Sequence, residues 1–492
     1  MSPFGESSKI KAVIGNFADS DRGLDSYWDE RVSGAAQADG VGYRPGDRST
    51  FIPRLLNRWP FTAGRALRAV EGYLVNGQVQ DTVTRYYTIT KFNYDDGSET
   101  ATLEGKDRMD ELSKTRWLIP APSNGKLGQD LAADVLGTFS LDPESNEAEY
   151  PVSGIINIGN ELLEYSRAAA VFTILSRAAF GSRGKSHAAN DVVQLAVRLQ
   201  GRPDQVVSRM MVELGPLPAA ALPLATLWDD EASIWLAGVE YDTIIASPTP
   251  GAELLAEIAL LGISVWWKLT DQTVGFKTNR PIYGDTLWSI TDRDLKNIQR
   301  LTMEEERLTE VYFQNVQIDP TDGVKEENFR RAEYIIDARA KNPNAYGDTK
   351  IKRHGIRWFN QGRSDVVRIN AVRYLRRFSE SPSTVRVWVD GGKYRNVGLT
   401  DFVLLTTDGV VDDTGLPVSL FYEVVKRIEE EQGHTVQLVM RLFTQVVNLA
   451  YVAPDDAPDY ADATAVQKDA MAFIGPDTGS IMPDGRLLYA TI

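Results

Sequence analysis

Three histidines, His187, His354 and His434, are the side chains of this chain best suited to proton transfer or metal binding near neutral pH. Either role needs partners at a defined spacing, and none of the three stands in an H-E-x-x-H or comparable arrangement. Each reads as an isolated structural residue. With no cysteine in the chain, disulfides, a thiolate nucleophile, cysteine-ligated zinc and cysteine-held iron–sulfur clusters are all excluded. Adjacent carboxylates occur at Asp95-Asp96, Asp229-Asp230, Asp412-Asp413 and Asp455-Asp456. Glycoside cleavage needs two carboxyl groups held a set distance apart across a substrate, which adjacency in sequence does not supply, so these pairs read as solvated turns. No G-x-x-x-x-G-K-[ST] or G-x-S-x-G motif occurs, and Gly40-Val41-Gly42 lacks a strand-loop-helix setting. The stretch from Lys350 to Arg377 interleaves Lys352, Arg353, Arg357, Arg363 and Arg368 with Trp358 and Phe359. That composition suits single-stranded nucleic acid. In an acidic chain without a recognised nucleic-acid module, a helix with a solvated arginine face, or a patch facing an acidic neighbour, is the better reading. The sequence therefore predicts a chain that is not an enzyme, with no catalytic residues, no metal ligands and no cofactor.

The elements that would position any site follow from length and pattern. A chain of 492 residues corresponds to about three or four domains. Its 43% hydrophobic and 25% charged residues are globular values that exclude a disordered or fibrous class. No apolar run reaches the roughly 18 residues of a membrane-spanning helix, and the first residues lack a signal-peptide core, which predicts a soluble chain not exported by the usual route. The net charge of -15 disfavours general attraction to nucleic-acid phosphates.

Between Phe51 and Leu103, LRAVEGYLV, TRYYTITKF and ETATLEG are rich in β-branched and aromatic residues. Asn76-Gly77 and Asp96-Gly97, which tolerate the positive φ of tight turns, divide them into hairpins. KLGQDLAADVLG, beginning at Lys126, is expected to form a short helix. Strands follow around Ile155 to Ile158, Glu161 to Tyr165, Phe172 to Leu175 and Val192 to Arg198, with a polar loop from Gly181 to Asn190 as a contact candidate. Helices are expected over Pro203 to Leu214 and Gly251 to Gly262, and a strand over Ile263 to Leu269 containing Trp266-Trp267. VYFQNVQI reads as a strand. Asp365 to Phe378 reads as an amphipathic helix with Val366, Ile369, Val372 and Leu375 inward and Arg368, Arg373, Arg376 and Arg377 outward. TVRVWVD, DFVLLTTDGVV, FYEVVKRIEE and TVQLVMRLFTQ alternate as strands. The Pro/Asp-rich APDDAPDYADA then leads to an apolar-aromatic tail able to dock on another chain.

One block carries a more specific pattern. GIINIGNELLEY (154–165) places Gly159 two residues before Glu161. FTILSRAAFG (172–181) follows with Arg177, Phe180 and Gly181, and SHAANDVVQ (186–194) supplies His187 and Asp191. The block resembles a segment of phage tail-tip proteins in which a strand ending in Gly-x-Glu precedes Arg-Gly-x-x-Gly-Thr-x-x-x-x-His and Asp-x-Val-Gln. This chain departs from it at Ala178, where the family usually has Gly, and at Ser182, where Thr is common. Arg22 to Arg31, Phe51 to Arg65, Glu71 through Asp107 and the Trp266-Trp267 strand resemble further parts of siphophage tail hub proteins, so that the likeness covers most of residues 11 to 440.

The resemblance implies an α+β, predominantly β, multidomain tail hub with tube-like β-barrel or sandwich domains and short helices. On that reading residues 1–125 form an N-terminal tube-like β domain and 126–215 a hairpin-rich inserted domain. Residues 216–350 form an α+β domain, 351–452 a helix plus a β-rich domain, and 453–492 a linker and docking segment. It further implies a homotrimeric ring at the virion tail tip that contacts a distal tail protein, the tape-measure protein and a central tail fibre. Viral DNA would pass through its lumen without specific binding. His187 becomes a turn residue rather than a ligand. Expected partner-binding residues are Ile474, Ile481, Leu487, Leu488 and Tyr489 of the tail, with Phe180 and Arg177 of the block. The alternatives are a tail-associated receptor-binding protein, its surface aromatics stacking on sugars, and a cell-wall glycosidase.

Overall fold

Asn76 and Gly77 both adopt positive φ, 52° and 77°, the geometry of a primed turn whose twist matches that of the strands it joins. In the computed structural model they connect β2 and β3 of an antiparallel sheet. The structure describes residues 9–17, 50–109, 117–280, 282–473 and 489–491, with interruptions at 283–284, 303, 339, 343–347, 361, 380–382, 412–413, 432–434, 444–447, 453–456, 465–466 and 469–470. The chain forms two compact units, one of residues 7–110 with 267–272, the other of the remaining residues.

In the smaller unit, β1 (Lys9–Gly15), α1 (Phe51–Arg58), β2 (Ala66–Val75), β3 (Gln78–Asp95) and β4 (Thr100–Lys106) follow in order, with the sheet arranged β1-β4-β3-β2. Alternate residues of β4, among them Ala101 and Leu103, are buried, as a one-sided sheet requires. The far end of the β2–β3 hairpin buries neither face: Leu74 is 73% and Val79 58% exposed.

The larger unit contains three principal sheets. Strands β5 (Thr138–Phe139), β6 (Ser153–Ile158), β7 (Glu161–Ala168), β8 (Val171–Ser176) and β9 (Val193–Gly201) are followed by α2 (Pro203–Val212), α3 (Asp229–Trp235) and β10 (Tyr241–Ile245). The strands form one sheet ordered β10-β9-β6-β7-β8-β5. Both faces are covered, one by a core including Phe139, Ile156, Leu163 and Phe172, the other by one including Ile155, Leu162 and Ile244. Next come α4 (Gly251–Leu260), β11 (Ile263–Lys268), β12 (Thr273–Thr278), β13 (Leu287–Thr291) and β14 (Leu295–Thr302). A three-stranded sheet of β15 (Glu310–Gln317), β16 (Phe329–Ile336) and β17 (Ile351–Gly355) is packed against α5 (Ser364–Ser379). Then β18 (Ser383–Asp390), β19 (Phe402–Val411), β20 (Pro417–Glu431) and β21 (Thr435–Leu442) complete a sheet ordered β13-β19-β20-β21-β18-β14.

That order forces curvature. β13 and β14 are the two edges, yet three residues join them, and Asp294 N donates to Thr291 O at 2.8 Å across the turn. Six flat strands would hold their edges about 24 Å apart, beyond the reach of so short a link. The sheet therefore curls towards a barrel around Val385, Val387 and Val389 of β18, Val403 and Leu405 of β19, and Leu438 and Met440 of β21. The predominantly β class expected from sequence is the observed one.

Two expectations are corrected. KLGQDLAADVLG is not a helix: Lys126 and Leu127 form a short strand. Leu127 N donates to Asp191 O at 2.9 Å, and Leu131 exchanges backbone bonds with His187. Those backbone groups are satisfied by the 187–191 loop, so tertiary pairing displaces local helix formation. On α5, Ile369 is exposed while Val367 and Ala371 are buried beside Val366 and Leu375, which turns the apolar stripe away from its expected position.

Candidate functional site

The block that carries the sequence resemblance folds into one corner built on Glu161, the first residue of β7. The turn before it is made by Gly159 (φ 53°) and Asn160 (φ 71°), which places the Glu161 side chain, 0% exposed, against the segment after β8. Arg177 meets it through two bonds, Nε to Oε1 at 3.0 Å and Nη2 to Oε2 at 2.7 Å, the paired geometry that suits a guanidinium to a carboxylate. The backbone amides of Ala178 and Lys185 donate to it at 3.1 and 3.2 Å. His187 Nε2 lies 2.7 Å from Oε2. Since an ionised carboxylate only accepts, the histidine proton sits on Nε2.

Burial acts to raise the Glu161 pKa, but the bonds from Arg177, His187 and the two amides outweigh it and hold the carboxyl at about 2. A carboxylate with about four lone-pair sites and five donors has no capacity left to take a proton from a substrate. Arg177 also bonds Ala132 O and Lys185 O, and thus ties three segments to one side chain. The corner is a structural clasp.

The loop from Gly181 to Asn190 is exposed along most of its length but anchored at Ser182 and His187, both buried. Ser182 Oγ accepts from Leu162 N at 2.9 Å. Ala178, at the position where the resembling proteins carry Gly, has φ 46° and ψ 37°. That is the left-handed conformation glycine adopts most easily. Gly181, at φ 87°, packs so closely that a Cβ would come within 2.1 Å of Ile318 O. Phe180 is partly buried against the Ile155–Leu162 face, with the Arg198 guanidinium 5.8 Å from its ring centroid. Arg177 and Phe180 are thus engaged within their own chain.

The remaining sequence candidates do not converge on this corner. Ile474, Ile481, Leu487 and Leu488 lie outside the described residues, as do His434, Asp412-Asp413 and Asp455-Asp456. Tyr489 lies on β24 (Tyr489–Thr491), which, like β23 (Met471–Ala472), pairs in parallel with β22 (Asn448–Val452). Asp95 serves the turn after β3, accepting from Gly97 N and Ser98 Oγ. Asp229 accepts from Arg202 at 2.6 Å. In the basic stretch, Trp358 and Phe359 are core residues packed on Tyr241, and Arg357 pairs with Glu257 at 2.6 Å. These aromatics cannot serve as a stacking platform for bases. Among the described residues no group of three or more His, Asp and Glu side chains gathers as a metal would require, and no helix is long and apolar enough to cross a membrane.

Comparison with known proteins gives only distant structural similarities. No family model and no curated protein matches the chain. Among solved structures, the chain is similar to a tail protein from Neisseria meningitidis MC58, at 10% identity over 77% of this chain and 89% of that one, with a TM-score of 0.33. The 43 kDa tail protein of prophage MuSo2 from Shewanella oneidensis aligns at 8% identity over 77% and 88%, with a TM-score of 0.35. Prophage tail protein gp18 from Listeria monocytogenes EGD-e aligns at 8% over 77% and 86%, with a TM-score of 0.27. All three TM-scores lie below one half, a range in which aligned chains need not share a fold.

Sequence reasoning placed Arg177 and His187 in the block but assigned Glu161 no role at its centre. The signal was the Gly-x-Glu order itself, since a carboxylate directly after a positive-φ turn is aimed by that turn.

Proposed function

We propose that this chain is a structural subunit of a bacteriophage tail: a hub at the tail tip that assembles as a homotrimeric ring, joins the tail tube to a central fibre and lets DNA pass. The observation that carries this reading is that Gly159, Glu161, Arg177 and His187, the residues on which the resemblance to tail-tip proteins rests, are those that make one buried clasp. A chance match of weak motifs has no reason to converge on a single corner. A carboxylate saturated by five donors suits a role in holding shape rather than in turnover.

Assembly is further supported by the β2–β3 arm, whose apolar tip at Tyr73, Leu74 and Val79 is solvent-facing in the single chain and is the kind of surface a neighbouring subunit covers. The net charge of -15 suits a ring through which DNA slides without adhering. The distal tail protein, the tape-measure protein and the fibre are the neighbours this reading requires, with residues 453–492 as the fibre-docking segment.

Native mass spectrometry of the full chain tests the ring: three copies of the 54.6 kDa chain are expected, and a monomer under all conditions overturns it. Deleting residues 454–492 is expected to leave trimers that no longer retain the fibre; trimers that keep it refute the docking assignment.

A further inference from the structure

The arginines of α5 expected to face solvent do not all do so. Arg373 and Arg377 border a cavity of about 400 Å³ in the larger unit, together with Arg441 of β21, Glu423 of β20, Glu306 and the exposed Lys352 of β17. This volume falls within the range of small-molecule sites. Two ion pairs cross its wall, Arg377 Nη2 to Glu423 Oε2 at 2.5 Å and Arg441 Nη2 to Glu306 Oε2 at 2.8 Å. Among the described residues the lining holds four cations and two carboxylates, inside a chain whose total is -15. Ser264, Asn279 and Asn370 add neutral hydrogen-bonding groups, and Trp266 and Tyr374 an aromatic wall. Trp266 is seated by Gly275, where a Cβ would meet its ring at 2.4 Å.

We infer that this cavity is a binding site for a small polyanion bearing phosphate or carboxylate groups. Guanidinium groups are the side chains best matched to such groups, because their planar forks donate two parallel bonds to paired oxygens. Confining cations here has a cost: burial pulls the pKa of Arg373 down, and burial followed by repulsion from Arg377 does the same to Arg441. An anion of charge two or more offsets that cost where a neutral ligand does not. The two glutamates fix the orientation of Arg377 and Arg441. The site is independent of the tail reading and of the Glu161 clasp.

Calorimetric titration of the full chain with inorganic pyrophosphate, and separately with citrate, tests the site. Saturable binding of at least one anion is expected, weakened about tenfold by Arg373→Ala. Lys352→Ala, at an exposed position where folding is not at risk, is expected to weaken it by about threefold. The accompanying tryptophan fluorescence change is expected to vanish in Trp266→Phe. Tighter pyrophosphate assigns a phosphate ligand, and tighter citrate a carboxylate one. Absence of saturable binding for both anions overturns the site, as does binding that neither Arg373→Ala nor Lys352→Ala weakens.

Discussion

His187 Nε2 and Glu161 Oε2 lie 2.7 Å apart with neither side chain reaching solvent, although 26 residues separate them. The pair closes the clasp that Arg177 opens from the other side of the carboxylate. Because folding lowers the Glu161 pKa from an ordinary 4.5 to about 2, the group contributes stability that is fully present above pH 4.5. This contribution is lost as the pH falls through about 2, and amounts to about 3 kcal/mol. Chemical denaturation of the wild type between pH 5 and 2 is expected to show a drop that Glu161→Gln lacks. At neutral pH Glu161→Ala is expected to cost about 3–5 kcal/mol, since it leaves buried charge without its counterpart. A loss below about 1 kcal/mol would show that the clasp is not structural.

Ala178 holds a left-handed conformation beside that clasp, at a cost of roughly 1–2 kcal/mol for a residue with a Cβ. Ala178→Gly relieves it while loosening the unfolded chain by about 0.4–1 kcal/mol. The net expectation is a gain of about 0.5–1 kcal/mol, read as a higher midpoint in urea, with the amide donation to Glu161 kept. Gly181→Ala is expected to act in the opposite direction, because its Cβ would collide with the backbone oxygen of Ile318. Destabilisation by Ala178→Gly would refute the strain argument.

His354 is wedged between Phe313 and Tyr374, with ring centroids at 5.6 and 5.2 Å. Burial, and then the nearby Lys352, lower its pKa from 6.5 to about 4. Its neutral form is the folded one, so the stability it contributes is present above pH 6.5 and is lost as the pH falls through about 4. An NMR titration of the ring is expected to show no protonation until below about pH 5. An inflection near 6.5 in the folded protein would place the ring in water instead.

Much of this architecture is legible where the determinant is local. Asn76-Gly77 announces its hairpin because positive φ at both positions selects those residue types. The alternation in TVRVWVD and TVQLVMRL announces β18 and β21 because each buries one face in the barrel core. The curl of that sheet is not legible, since it depends on the parallel pairing of Leu287 with Phe402 across more than a hundred residues. The failed helix at Lys126 has the same origin: its local pattern was outcompeted by backbone bonds to the loop near His187. The clasp itself was legible only in part. Arg177, Glu161 and His187 could be picked out by their order, but nothing in their spacing states that they share one carboxylate.

Leu74 and Val79 stand directly opposite each other across the β2–β3 hairpin, both largely exposed, which makes the arm a direct test of assembly. Neither side chain has much burial to lose, so Leu74→Glu combined with Val79→Lys is expected to change stability by less than about 0.5 kcal/mol. The introduced pair faces itself across the strands with opposite charge, which favours keeping the hairpin formed. An interface that buries the tip would instead have to desolvate two ions, at a cost of several kcal/mol. Sedimentation of the double variant is therefore expected to give a folded species with weakened or absent self-association, its circular dichroism unchanged. A variant that assembles as the wild type does would remove the arm from any subunit interface.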